Sequence, residues 1–155
     1  MKYLILLIIL SGCSFQQLNI NESKLTISSV NYINTPKDLK YLINDALLVK
    51  PESNTNLIIR DYKENLRDFS GGNNLSNIES QIYGEVTLEI NVDDAKNIII
   101  ISSSKKFQNN FLNPQAQKIM IQTMRKELFR DLSSKIQMVL LLSLIHISEP
   151  TRQIV

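Results

Sequence analysis

Residues able to act as nucleophile, proton carrier or metal ligand are scarce in this chain of 155 residues, which has one Cys, Cys13, and one His, His146. A Cys/His dyad or a mixed metal site needs such residues to converge, and a disulfide within the chain is impossible. The hydroxyls of Ser102-Ser103-Ser104 have no neighbouring His or acidic motif to activate them. Glu85 and Glu89 share a strand face at i, i+4, but that spacing separates them by about 13 Å, too far to act on one bond. They read as a charged edge that discourages aggregation. Four glycines without a phosphate-loop pattern leave no nucleotide cradle, and Gly71-Gly72 reads as a loop tip. The expectation is a protein that is not an enzyme and holds no cofactor or metal.

Seventeen Lys+Arg against 15 Asp+Glu give a net charge of +2, and aromatics make up 6% of the chain. Neither the charge excess nor the stacking platforms of a nucleic-acid reader are present. The length predicts one domain.

The two ends read as something other than fold. Lys2 followed by the apolar run Tyr3 to Leu10 and the small residues Ser11 and Gly12 has the form of a secretion signal, expected over residues 1–12, and is too short for a stable span. Leu10-Ser11-Gly12-Cys13 resembles the lipobox of bacterial lipoproteins, which implies cleavage before Cys13 and acylation of its thiol. Multiple acyl chains would anchor it stably. Ser14 is not the Asp that retains such proteins at the inner membrane in enteric-type sorting, so the resemblance implies the outer membrane, on its periplasmic side. At the other end, Leu142 to Arg152 is similar to the translation of an adapter used in shotgun sequencing libraries, with Gln153 to Val155 as index bases. On that reading residues 142–155, His146 included, are not native, and a single periplasmic domain occupies residues 13–141.

Between these ends, Phe15 to Ser23 is a polar tether. Leu25 to Tyr32 reads as a first strand. Thr35-Pro36-Lys37-Asp38 reads as a helix start with Thr35 as cap, and Leu39, Leu42, Ile43, Ala46 and Leu47 form one helical face. A second strand is expected over Asn56 to Asn65. In a third, Ile82, Gly84, Val86, Leu88, Ile90 and Val92 alternate with polar residues. Asp93 to Lys96 forms a hairpin loop, and Ile98 to Ile101, apolar on both faces, reads as the start of a covered central strand. Asn113-Pro114 opens a second helix with a stripe of Ala116, Met120, Met124, Leu128, Leu132, Ile136 and Val139, read as core and not as a cofactor site. The order strand, helix, three strands, helix predicts an α+β fold with two helices packed on a mixed four-stranded sheet.

This combination resembles the LPS-assembly lipoprotein family, LptE. The resemblance spans Cys13 to about Leu141 and is carried by Leu10 to Cys13, the strand Ile82 to Val92, and the hairpin into Ile98 to Phe107. The stretch Ser102 to Phe107 with Asn109-Asn110, and the final helix bearing Met124-Arg125-Lys126-Glu127-Leu128, complete it. Cys13-Ser14-Phe15 departs from the Cys-Gly-Phe start frequent among relatives. The resemblance implies a lipoprotein that plugs the LptD-type outer-membrane translocon β-barrel, assists its assembly and helps deliver lipopolysaccharide. Lipopolysaccharide phosphates call for fixed cations, and Lys105, Lys106 and Arg60 are the candidates, with a solvated surface as the competing reading. The alternative function is a periplasm-facing accessory lipoprotein of another lipid-transport or cell-wall complex.

Overall fold

The computed structural model describes residues 24–70, 78–93, 95–108 and 113–148. Cys13, the signal and tether segments, Gly71-Gly72 and residues 149–155 lie outside the described residues. The elements in chain order are β1 (Leu25–Ile27), β2 (Ser29–Ile33), α1 (Lys37–Ala46), β3 (Leu47–Val49), β4 (Thr55–Ser70), β5 (Ile78–Val92), β6 (Ala95–Gln108) and α2 (Pro114–Ser148). Strands β2-β4-β5-β6 form a mixed sheet, in which β2 runs parallel to β4 and the other pairs are antiparallel. Both helices lie on one face, where Leu39 and Ile43 of α1 and Leu128, Leu132 and Ile136 of α2 are buried with Leu57, Ile59, Ile82, Leu88 and Ile90 of the strands. The α+β architecture read from the sequence is the one observed.

The first strand is two strands, because the chain changes partner at Ser28. β1 pairs in parallel with β3, whereas the Ser28 amide already bonds the Thr55 carbonyl at 2.7 Å and β2 continues along β4. Leu47 is buried as expected, but as the first residue of β3 and not on the helix. Asn34, at φ +51°, then turns the chain toward α1. The cap expected from Thr35 does not form. Pro36 occupies the cap position without a side-chain bond, and the Thr35 hydroxyl is within 3.1 Å of the Ile59 carbonyl and 3.2 Å of the Ile33 carbonyl. The single hydroxyl proton is shared between these two sheet carbonyls, which satisfies the buried hydroxyl, while Pro36 precedes the first helical amides. The cap read at Asn113 does form, with its Oδ1 accepting from the Ala116 amide at 3.1 Å.

β4 is longer than expected and contains a β-bulge between Arg60 and Lys63, where Asp61 has φ +58°. Before the bulge Leu57 and Ile59 face the helices. Beyond it the pairs Glu64 with Gly84 and Leu66 with Ile82 place even-numbered residues on that face. The inserted residue inverts the side-chain phase. Tyr62 thereby turns toward α2, where its ring meets Phe129 edge-on at 5.6 Å between centroids.

The 35-residue helix α2 runs unbroken through Leu142 to Ser148. Its buried apolar positions are Leu128, Phe129, Leu132, Ile136 and Leu140, whereas Ile119 and Met120 are exposed. The predicted stripe is therefore core in its C-terminal part and open at its start. Residues spaced by four advance about 40° beyond a full turn per step, so such a line winds off the buried face within a few steps.

Candidate functional site

The sheet face opposite the helices is open, and it gathers most of the polar side chains of the strands. Across it run the rows Ile33, Arg60, Thr87, Ile100 and Asn31, Ile58, Glu89, Ile98, then on the other side of the bulge Lys63, Glu85, Ser102 and Arg67, Gln81, Lys106. β5 alternates Glu, Thr and Asn outward against buried apolar residues inward, which fixes the sidedness of its neighbours through the ladder. Glu85 and Glu89 were expected on a charged edge. They lie instead on β5, between β4 and β6, so they face the open surface from the interior of the sheet.

Each of these carboxylates has its own cation. Glu89 is only 7% exposed. Lys96 Nζ lies 2.7 Å and Arg60 3.6 Å from its oxygens. The Lys96 hydrogen bond, opposed by burial, holds the Glu89 carboxyl below the usual carboxylate range. Glu85 accepts from Tyr83 Oη at 2.9 Å and from Lys63 Nζ at 3.2 Å, and these bonds, Tyr83 first, hold it low as well. Around Glu85 and Glu89 the face is thus a mosaic of ion pairs flanked by Ile33, Ile58, Ile98 and Ile100, and not a field of one sign.

The three candidate anion-binding residues do not converge. Lys105 is on the helix-covered side, where its Nζ lies 2.6 Å from Asp131 of α2. Lys106 is on the open face and pairs with Glu79 at 3.1 Å. Arg60 is on the same open face but level with Ile100, six residues along β6 from Lys106, or about 20 Å. The Arg60 Nε is buried without a hydrogen-bond partner among the described residues. No single phosphate can be held by all three cations in this arrangement. Among the described residues no group of three or more His, Cys, Asp or Glu side chains could hold a metal ion, and no helix is long and apolar enough to cross a membrane.

The side chains that tie α2 to the sheet escape a reading by spacing alone, because they are far apart in sequence, by 61 positions in the case of Glu64 and Arg125. Arg125 forks onto Glu64, with Nε at 2.9 and 3.0 Å and Nη2 at 2.6 Å, and Tyr62 Oη donates to the same carboxylate at 2.8 Å. Burial alone would raise the Glu64 carboxyl, but the bonds from Arg125 and Tyr62 outweigh it and hold it below the usual range. Burial, and then the bond to Glu64, pushes the Tyr62 phenol upward. A carboxyl with a depressed folded-state pKa stabilises the fold above its unfolded value of about 4.3, and that contribution is lost as pH falls through the folded value. Chemical denaturation from neutral pH down through pH ~4 should therefore show a smaller acid-side loss of stability in Glu64→Gln than in the unsubstituted chain. Identical profiles would show that the Arg125 fork contributes nothing. Farther along, Asp131 takes Lys105, and Lys135 Nζ reaches the Ser102 carbonyl of β6 at 2.7 Å.

Between the helices a shallow cleft of about 410 Å³ is lined by Asp38, Tyr41, Leu42, Lys126, Phe129 and Arg130. Its mixed charge and wide mouth give it no convergent set of polar groups of the kind that fixes a small ligand.

No family model matches the chain, and no curated protein matches its sequence. Solved structures do match in fold. The minor lipoprotein from Acinetobacter baumannii superposes with a TM-score of 0.60 at 13% identity, covering 74% of this chain and 89% of its own. The rare lipoprotein B from Shewanella oneidensis gives 0.62 at 11% identity, covering 78% and 99%. A lipoprotein B from Nitrosomonas europaea gives 0.51 at 19% identity, covering 73% and 81%. At these identities the shared property is the fold, and it is a fold found in bacterial lipoproteins.

Proposed function

We propose that this chain is an outer-membrane lipoprotein, attached through acylated Cys13 and facing the periplasm, that plugs and assists assembly of an LptD-type β-barrel and helps deliver lipopolysaccharide. The observation that carries the reading is the one-sided sheet. Both helices pack on one face, leaving the other as a broad surface on which ion pairs, hydroxyls and amides stand beside exposed isoleucines. A barrel lumen is lined by the polar, inward-facing half of its strands, and such a face is a suitable counterpart because its carboxylates Glu85 and Glu89 are already paired with cations. The fold shared with lipoproteins and the Leu10-Ser11-Gly12-Cys13 motif support the anchoring part of the reading.

Affinity purification of the full chain from its membrane tests the partner. A stable one-to-one complex with a large β-barrel is expected, and recovery with a transport or cell-wall complex and no barrel would favour the accessory-subunit alternative. Blocking lipoprotein signal peptidase should raise the mass of the chain, and partition of the mature protein into the aqueous phase of a detergent extraction would rule out the anchor.

For lipopolysaccharide, Lys106 and Arg60 on the open face and Lys105 beside α2 are proposed phosphate contacts at separate points of a large headgroup. Lys105→Glu with Lys106→Glu is expected to weaken binding of purified lipopolysaccharide about tenfold or more, corresponding to the loss of roughly one charge-assisted bond. Unchanged binding removes these two residues from the site. Thermal unfolding of the same variant separates lost contacts from a lost Lys105–Asp131 tie.

A further inference from the structure

On the open face, four isoleucines fall into two apolar shoulders. Ile33 and Ile58 stand on β2 and β4, and Ile98 and Ile100 on β6 at the other side of the sheet. Ile33 is 43%, Ile98 53% and Ile100 68% exposed. Between the shoulders lies a polar trough. Glu89, itself buried, holds Lys96 at 2.7 Å and Arg60 at 3.6 Å, and Arg60 also lies 3.6 Å from Asp61. These two cations and two carboxylates cancel, and Thr87, level with Arg60 and Ile100, adds an uncharged hydroxyl.

We propose, on a footing that rests on the barrel-plug reading, that this band of the open face is the seat for the barrel wall. The wall meets it with uncharged inward-facing side chains, apolar or aromatic over the shoulders and hydroxyl or amide over the trough. Geometry and charge select this occupant. Whatever covers the shoulders must also cover the trough, because the two are at most two strands, or about 10 Å, apart. A hydrocarbon chain would leave Arg60, Lys96 and Glu89 against a medium that solvates no charge. A strongly charged surface of either sign would meet one of the paired ions as a like charge and draw no net attraction from a cluster whose charges cancel. A strand face presents side chains about 7 Å apart along a strand and about 4.8 Å apart between strands, the same grid on which the isoleucines stand, so two such faces can interdigitate. Beyond the bulge the rows turn to Lys63, Glu85, Ser102 and Arg67, Gln81, Lys106, with no isoleucine among them. Arg60 lies under the seat, which leaves phosphate contact to Lys105 and Lys106.

Affinity purification of the full chain from its membrane, with the barrel quantified against the chain, tests the seat. Ile98→Asp with Ile100→Asp should lower barrel recovery about tenfold or more, as the loss of two apolar anchors at an interface does, while Ile98→Val with Ile100→Val keeps it. The circular dichroism spectrum of the aspartate variant should remain that of the unsubstituted chain. Independently of how that variant folds, Ile100→benzoylphenylalanine should form a photo-adduct with the barrel. Barrel recovery that survives the double aspartate substitution, or an adduct at position 100 with lipopolysaccharide or a second copy and none with the barrel, overturns the seat while leaving the plug reading in place. Failure of the unsubstituted chain to recover a barrel is a distinct result, which overturns the plug reading and the seat with it.

Discussion

Shortening Leu128 to Ala is expected to lower the free energy of unfolding by about 2–5 kcal/mol, because the side chain is fully buried at the contact between α2 and β5. The cost has two parts. One is the transfer of the lost methyl groups, and the other is the void left behind when neighbours cannot close in. Here the neighbours are held. Tyr62 is fixed by its bond to Glu64 and its edge contact with Phe129, and the strand beneath is the inner strand β5. The upper part of that range is therefore expected, and urea denaturation measures it. A midpoint within error of the unsubstituted chain would mean that α2 does not seat on β5 at Leu128.

Gly84 gives the second large effect, from the opposite cause. It is the one glycine in the alternating strand Ile82 to Val92, and it sits on the buried face where the pattern asks for a large apolar residue. A Cβ there would come within 2.9 Å of Leu128 Cδ2 and 3.3 Å of Tyr62 Oη. The absent side chain is what lets α2 and the tyrosine approach the strand together. Gly84→Val is expected to destabilise by about 1–3 kcal/mol through overpacking, even though valine suits a strand better than glycine. The two sites are coupled, since removing the Leu128 methyls opens the space a methyl at position 84 needs. Gly84→Ala combined with Leu128→Ala should therefore cost less than the sum of the single changes by roughly 0.5–3 kcal/mol. Strict additivity would show that the two residues do not share this space.

The fold class was legible because its strongest signals are local. Alternation over Ile82 to Val92 sets the inner strand and Asn113-Pro114 sets the start of α2, while the turn at Asp93, at φ +50°, is tighter than the loop expected over Asp93 to Lys96, since Ala95 and Lys96 already pair with β5. What the sequence conceals is which neighbour each element finds. Ile98 to Ile101 reads as the start of a covered central strand, but β6 ends the sheet and Ile98 and Ile100 are 53% and 68% exposed, because an apolar run looks the same whether its strand is central or at an edge. Thr35 next to Pro36 looks like a cap, yet the Ile59 carbonyl from a distant strand claims its hydroxyl. The stripe on α2 winds off the core for a reason that is legible in the sequence, since a line of residues four apart cannot stay on one side of a long helix. The Glu64–Arg125 fork had no local signal at all. Lys105, Lys106 and Arg60 stand out by residue type, and residue type does not reveal that each has a carboxylate beside it.

The bulge at Asp61 acts as a change of reading frame within a single strand. Up to Arg60 the odd positions of β4 are interior and the even ones exterior, and from Tyr62 onward the assignment is exchanged. One strand therefore obeys two alphabets. Lys63 and Arg67 sit harmlessly outside only because one extra residue precedes them, and a deletion at position 61 would deliver both cations to the helices while expelling Leu66. For variation accumulating in this chain, length at that point is a stricter constraint than the identity of any side chain around it.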